Sequence, residues 1–169
     1  MAAFAKCMWS LVPSIAVLGP VAFVALQLSR FRLSPARFTM QRVIASRALG
    51  MTTAVQGAHF VEEWVTGFHV RFPALFGLEP MPLAFFVVFN LTWIAIWIAS
   101  IPLLRSARKL GFFAAWFLAI AGMLNGIAHP LMAIASGGYF PGLVSSPFIG
   151  LVSIYLWRQL QGATLSERS

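Results

Sequence analysis

The chain has 169 residues, of which 60% are hydrophobic and only 9% charged, and its mean hydropathy is +0.85. Soluble domains carry about 25% charged residues, so this composition excludes an ordinary soluble domain and predicts one integral membrane domain over residues 1–169. The net charge of +8 does not indicate a nucleic-acid partner, because the arginines sit in short clusters between apolar runs, where orientation signals and headgroup contacts belong. A single cysteine, Cys7, excludes an intrachain disulfide and any CxxC motif for redox or zinc chemistry.

A membrane-spanning helix needs roughly 20 mainly apolar residues. The first such run, Met8–Leu28, follows Lys6 as a signal peptide core would. It is long enough to span, however, and meets arginines rather than a small-residue cleavage site, so an uncleaved first span is expected. The second run, Ala45–Gly67, is the least apolar, carrying Thr52, Thr53, Gln56, His59, Glu62, Glu63 and Thr66. A loop rich in aromatic residues, Pro and Gly, Phe68–Pro82, separates it from the third run, Leu83–Leu104. The fourth run is Phe112–Ala135. A turn-rich loop, Ser136–Gly142, leads to the fifth, Leu143–Leu160.

The fold expected is therefore all-α, a polytopic bundle of about five transmembrane helices with the N-terminus outside and the C-terminus cytoplasmic. Ten basic residues then lie on the cytoplasmic side: Arg30, Arg32, Arg37, Arg42, Arg47, Arg105, Arg108, Lys109, Arg158 and Arg168. Only Lys6 and Arg71 lie outside, which is the positive-inside bias. If the polar second run did not cross, the two large arginine clusters would fall on opposite faces. The location expected is a bacterial cytoplasmic (inner) membrane, with the lipid bilayer as the main partner.

The chemistry concentrates in His59-Phe60-Val61-Glu62-Glu63. The whole chain has four acidic residues and three histidines, and two of those acids and one histidine fall in these five positions. A charge at the centre of a bilayer costs at least ~2.5–3.5 kcal/mol, so such a cluster is expected to face the protein interior. At ~1.5 Å rise per residue it sits roughly 5–11 Å to the outer side of the midplane. Asn125 and His129 on the fourth span reach a similar depth, and Asn90 on the third lies near it. Residues three and four apart share a helical face, so His59, Glu62, Glu63 and Thr66 form one patch, extended inward by Gln56 and Thr52. Glu62 and Glu63 are ~100° apart around the axis, so only one of them can point directly at the fourth helix. Gly122, Gly126, Gly137 and Gly138 are expected to permit close approach of helices or backbone, and Pro130 to break or kink the fourth helix beside His129.

These residues resemble the HXXEE-domain family of small integral membrane proteins. The resemblance rests on three motifs in order, spread over most of the chain: His59-Phe60-Val61-Glu62-Glu63, Asn125-Gly126-Ile127-Ala128-His129, and Tyr139-Phe140-Pro141-Gly142. It implies an enzyme without specifying a reaction.

The residues themselves leave several chemistries open. His59, Glu62, Glu63 and His129 can serve as ligands of a divalent metal, zinc or iron, at a site with an open water position. Without a metal, a glutamate with a histidine and Asn125 can act as acid and base on a lipophilic small molecule. Intramembrane Glu/His chains also relay protons in transporters, although no inverted repeat is visible. Polar side chains also join helices in proteins with no catalytic role. The reading favoured is an enzyme acting on a lipophilic small molecule, with His59, Glu62, Glu63, Asn125 and His129 as its catalytic set. His69, Arg71 and Glu79 read as loop polarity, and Tyr139 as an interfacial anchor.

Overall fold

A computed structural model describes residues 9–30 and 39–164; the sequence readings at Lys6, Cys7, Met8, Arg32, Arg37 and Arg168 lie outside them. Among the described residues the fold is all-α, with six helices and no strand: α1 (Val12–Leu28), α2 (Thr39–Val65), α3 (Phe68–Ala74), α4 (Leu83–Arg105), α5 (Lys109–Ala135) and α6 (Ser146–Thr164). Each of the five apolar runs overlaps one of the longer helices. Of these, α4 and α5 are long and apolar enough to cross a membrane, while α1 is apolar but shorter.

The helices run alternately up and down. Leu11, just before α1, packs with Phe60 near the end of α2 and with Met81 and Phe86 at the start of α4. At the opposite end Arg42 Nε donates to the Arg105 carbonyl at 3.2 Å, and Arg105 Nε donates to Ser46 Oγ at 2.8 Å. The start of α2 and the end of α4 therefore meet, which brings Arg42 and Arg105 to one end of the bundle. A tight turn joins α4 to α5; a Cβ on Gly111 would come within 2.5 Å of the Leu104 amide nitrogen.

Helix α5 is the central element. It is covered by α1, α4 and α6, and its buried run Phe112–Ala119 joins Leu49, Trp97, Leu104, Leu156 and Leu160 in the main apolar core. Trp93 stacks on Phe117 at 4.2 Å between centroids, and Trp116 meets Trp157 edge-on at 4.8 Å. Helices α5 and α6 touch backbone to backbone: a Cβ on Gly126 would lie 2.8 Å from Gly150 Cα. The expected role of Gly122 and Gly126 in close approach is met. A Cβ on Gly137 or Gly138 would meet nothing within 4 Å, and both residues serve instead in the turn that ends α5.

Two expectations need correction. The segment Phe68–Pro82 is not all loop, since Phe68–Ala74 forms the short helix α3 after a left-handed Gly67 (φ 80°). Pro130 does not end α5, which continues to Ala135. Proline is tolerated inside long apolar helices when neighbouring elements compensate for the backbone bond it removes.

Candidate metal centre

The site lies where the last turns of α2 and the C-terminal half of α5 meet the segment 139–145 that leads into α6. His59 and Glu63 are one helical turn apart on α2, so both side chains leave the same face. His59, Glu63 and His129 are all buried, at 0%, 6% and 1% exposure. Glu63 Oε1 lies 3.3 Å from His129 Nε2 and 3.6 Å from His59 Nε2. The two imidazoles meet edge to face with centroids 4.7 Å apart.

Hydrogen bonding on the far side of each ring fixes which nitrogen carries the proton. His129 Nδ1 is 2.6 Å from the Pro141 carbonyl oxygen, which can only accept, so Nδ1 donates. His59 Nδ1 is 2.7 Å from Ser145 Oγ. That hydroxyl spends its own proton on Glu62 Oε2, so it too accepts from the ring. In neutral imidazoles both Nε2 atoms then carry lone pairs, and both face the Glu63 carboxylate. His59 Nε2 is buried and has no hydrogen-bond partner.

Three electron-pair donors thus converge with no hydrogen between them, their ligand atoms all within 4.8 Å of one another. A single proton could bridge Glu63 to only one ring and would leave the other lone pair buried and unmatched. Protonating both rings would place two cations side by side against one carboxylate. One divalent cation satisfies all three groups at once. Bonds of ~2.1 Å, typical of zinc with nitrogen and oxygen ligands, give a tetrahedron with edges of about 3.4 Å; the two Glu63–histidine separations, 3.3 and 3.6 Å, match such an edge, and the full set lies within 4.8 Å. The donor set therefore fits a metal.

Glu62 occupies a different place from its neighbour. Its Oε1 accepts from Tyr139 Oη at 2.7 Å and the Val144 amide at 3.0 Å; its Oε2 accepts from the Ser145 amide at 2.8 Å and from Ser145 Oγ. The two amides belong to the residues just ahead of α6, where unpaired N–H groups and the helix dipole favour an anion. Glu62 therefore holds the segment before α6 and, through Ser145, orients His59. It is not part of the converging donor set. Tyr139, half-exposed at 41%, has its phenol pushed above the ordinary value by loss of surrounding water and by donating to Glu62.

The Tyr-x-Pro-Gly stretch forms the roof of the site. Tyr139 binds Glu62, Pro141 offers its carbonyl to His129, and Gly142 lies against both rings. A Cβ on Gly142 would come within 2.5 Å of His129 Cε1 and 2.9 Å of His59 Cε1, and its φ of +85° independently favours glycine. Phe68 of α3 flanks His129 with centroids 5.6 Å apart, and Arg71 lies over the Phe140 ring at 5.7 Å.

Asn125 does not join the donor set. It lines a cavity of about 450 Å³ that also reaches Glu63 and His129 and extends between α1, α2, α4 and α5. Gln56 and Asn90 line the same cavity, whereas Thr52 donates to the Ala48 and Val152 carbonyls and belongs to the α2–α6 contact. Sequence reasoning missed Ser145, although serine directly before a helix start is a familiar capping signal. No protein-family model, curated protein or solved structure matches this chain.

Proposed function

We propose that the protein is an integral membrane enzyme of the HXXEE type, acting on a lipophilic small molecule at a divalent metal held by His59, Glu63 and His129. The observation that carries this reading is the convergence of two imidazole lone pairs on one buried carboxylate, at 3.3 and 3.6 Å. Three protein ligands leave a coordination position for water or substrate, and a metal so held supplies Lewis-acid polarisation or an activated hydroxide. Hydration, isomerisation or hydrolysis of a lipophile fits the adjoining cavity, whose lining is mostly apolar and aromatic. Zinc and iron are the candidate metals.

The test is metal analysis of purified protein beside His59→Ala and Glu63→Ala. Stoichiometric metal in the wild type and its loss from both variants is the expected result. A folded wild type that binds no zinc or iron on reconstitution overturns the reading. Acid–base chemistry by Glu63 and His129 would then be the surviving alternative.

In the same reading all five long helices cross the bilayer of the inner membrane, with the N-terminus outside. Support comes from large apolar side chains exposed on several of them, among them Phe23 at 62%, Val88 at 63%, Ile134 at 76% and Leu151 at 67%. In water such faces would mark an aggregating surface; in lipid they are ordinary. Single cysteines replacing Ser106 and Gly138 in a Cys7→Ser background should label from opposite sides of the membrane. Labelling from one side would refute the topology.

A further inference from the structure

The cavity beside the donor set carries polar groups with no hydrogen-bond partner among the described residues. Gln56 is 6% exposed, lines the cavity and makes no hydrogen bond to any described residue. Trp97, also 6% exposed and lining it, has an indole N–H without a partner. Asn90 donates its amide to the Phe86 carbonyl at 2.9 Å, which leaves its side-chain oxygen free to accept. Buried polar groups among aromatic walls are costly unless something binds them.

Their positions set a distance. Helices α2 and α5 both run toward the segment 139–145, so lower residue numbers lie deeper in both. Asn125 is one turn before His129, about 6 Å along the axis, and Gln56 is seven residues before Glu63, about 10 Å. A tier of amides therefore lies roughly 6–10 Å below the donor set, across a stretch flanked by Phe86 and Phe89, with the stacked pair Trp93 and Phe117 deeper in the same cavity. Flat rings pack well against such walls. Among the described residues no lysine or arginine lines the cavity, so its deep end suits an uncharged group.

Resting on the enzyme reading above, we infer that the substrate is a ring-containing or conjugated lipophile with two oxygen functions. One oxygen sits at the His129–Glu63 end, and a second, uncharged hydroxyl or carbonyl is held by the Gln56–Asn125 tier. The volume of about 450 Å³ equals about fifteen water molecules at ~30 Å³ each, enough for a small polycyclic body. A site built to hydrogen-bond a hydroxyl discriminates strongly against an analogue lacking it, because its own polar groups are then left unpaired.

The experiment compares two probes on the detergent-purified full chain by titration calorimetry. One is the naphthalene diol with hydroxyls at diagonally opposite corners; the other is beta-naphthol, the same ring with one hydroxyl. Nonspecific partitioning into detergent is measured in protein-free micelles and subtracted. The diol should bind the wild type about tenfold more tightly, and this preference should collapse in Gln56→Leu, in Asn125→Leu or in both. Equal affinity of the two probes for the wild type, or an unchanged preference in both variants, overturns the inference. Metal content is read on the same samples. Protein that holds metal without preferring the diol sinks this inference alone; protein that prefers the diol but cannot bind metal sinks the metal centre alone.

Discussion

Glu62 and Glu63 are adjacent carboxylates on one helix, yet they live in opposite electrostatic settings. Four donors from a single segment surround Glu62, two of them backbone amides at the head of α6. Glu63 faces two imidazole nitrogens that, in neutral rings, have no proton to give it. A carboxylate whose lone pairs are all answered by donors holds structure together. One whose neighbours are also lone pairs awaits a cation. The difference arises from ~100° of helical rotation, which ties Glu62 to the segment before α6 and turns Glu63 toward the two imidazoles.

The sharpest way to break this contrast is Glu63→Gln. An amide is a poor metal ligand, and the expected loss of zinc affinity exceeds about 100-fold, beyond the 10–100-fold typical of residues that only orient ligands. Competition against a chelating dye measures it. Unchanged affinity would show that Glu63 is not a ligand. Gly142→Ala should come next, since its methyl would collide with both imidazoles. The left-handed backbone alone costs about 1–3 kcal/mol for a non-glycine residue. Metal affinity should fall along with thermal stability, and a variant that keeps both would refute the close roof described above.

Glu62→Gln should have a smaller effect on metal, about 10–100-fold, because it acts through Ser145 on His59. Its amide hydrogens would face the donors that the carboxylate now accepts from, so the segment before α6 should loosen as well. Hydrogen exchange at the Val144 and Ser145 amides reports this directly. Faster exchange is expected there in Glu62→Gln, and the Glu63→Gln variant should leave it nearly unchanged. If the two variants lost metal equally, the division of labour between the neighbours would fail.

The smallest effect concerns Tyr139. Its phenol lies above the ordinary tyrosine value of 10.0, first through desolvation and then through Glu62. The folded state thus favours the protonated phenol. The resulting stabilisation is complete below pH about 10 and is lost as pH rises through the higher folded-state value. With Tyr155 replaced by Phe, Tyr139 is the remaining tyrosine and ultraviolet titration isolates it. Glu62→Gln should move its midpoint part of the way back down, and no movement would contradict the bond between them.

Much of this arrangement was legible in the sequence. The apolar runs marked the five longer helices because burial in an apolar setting demands length and hydrophobicity that composition records directly. The four-residue spacings His59–Glu63 and Asn125–His129 placed each pair on one face, and depth counting brought His59, Glu63 and His129 to one level. Which glutamate turned toward α5 was not readable, because both belong to the same patch and only packing sets the rotation of α2. Helix α3 was hidden by its aromatic residues, Pro73 and the flanking glycines, which read as turn signals. Asn125 was placed correctly in depth and shares one cavity with Glu63 and His129; that it stands outside the converging donor set depends on packing the spacing does not record.

The roof formed by Phe140, Pro141 and Gly142, all buried or nearly so, has a consequence for kinetics. With both histidines sealed beneath it, a bound ion could exchange from that side only when the segment before α6 lifts. Along that route, removal by a water-soluble chelator would proceed at a rate set by this local opening, independent of chelator concentration once the chelator is in excess. Affinity and lifetime would part company. A variant with a loosened roof could exchange its metal quickly while still binding it well, and the segment 139–145 would act as a clock for the site beneath it.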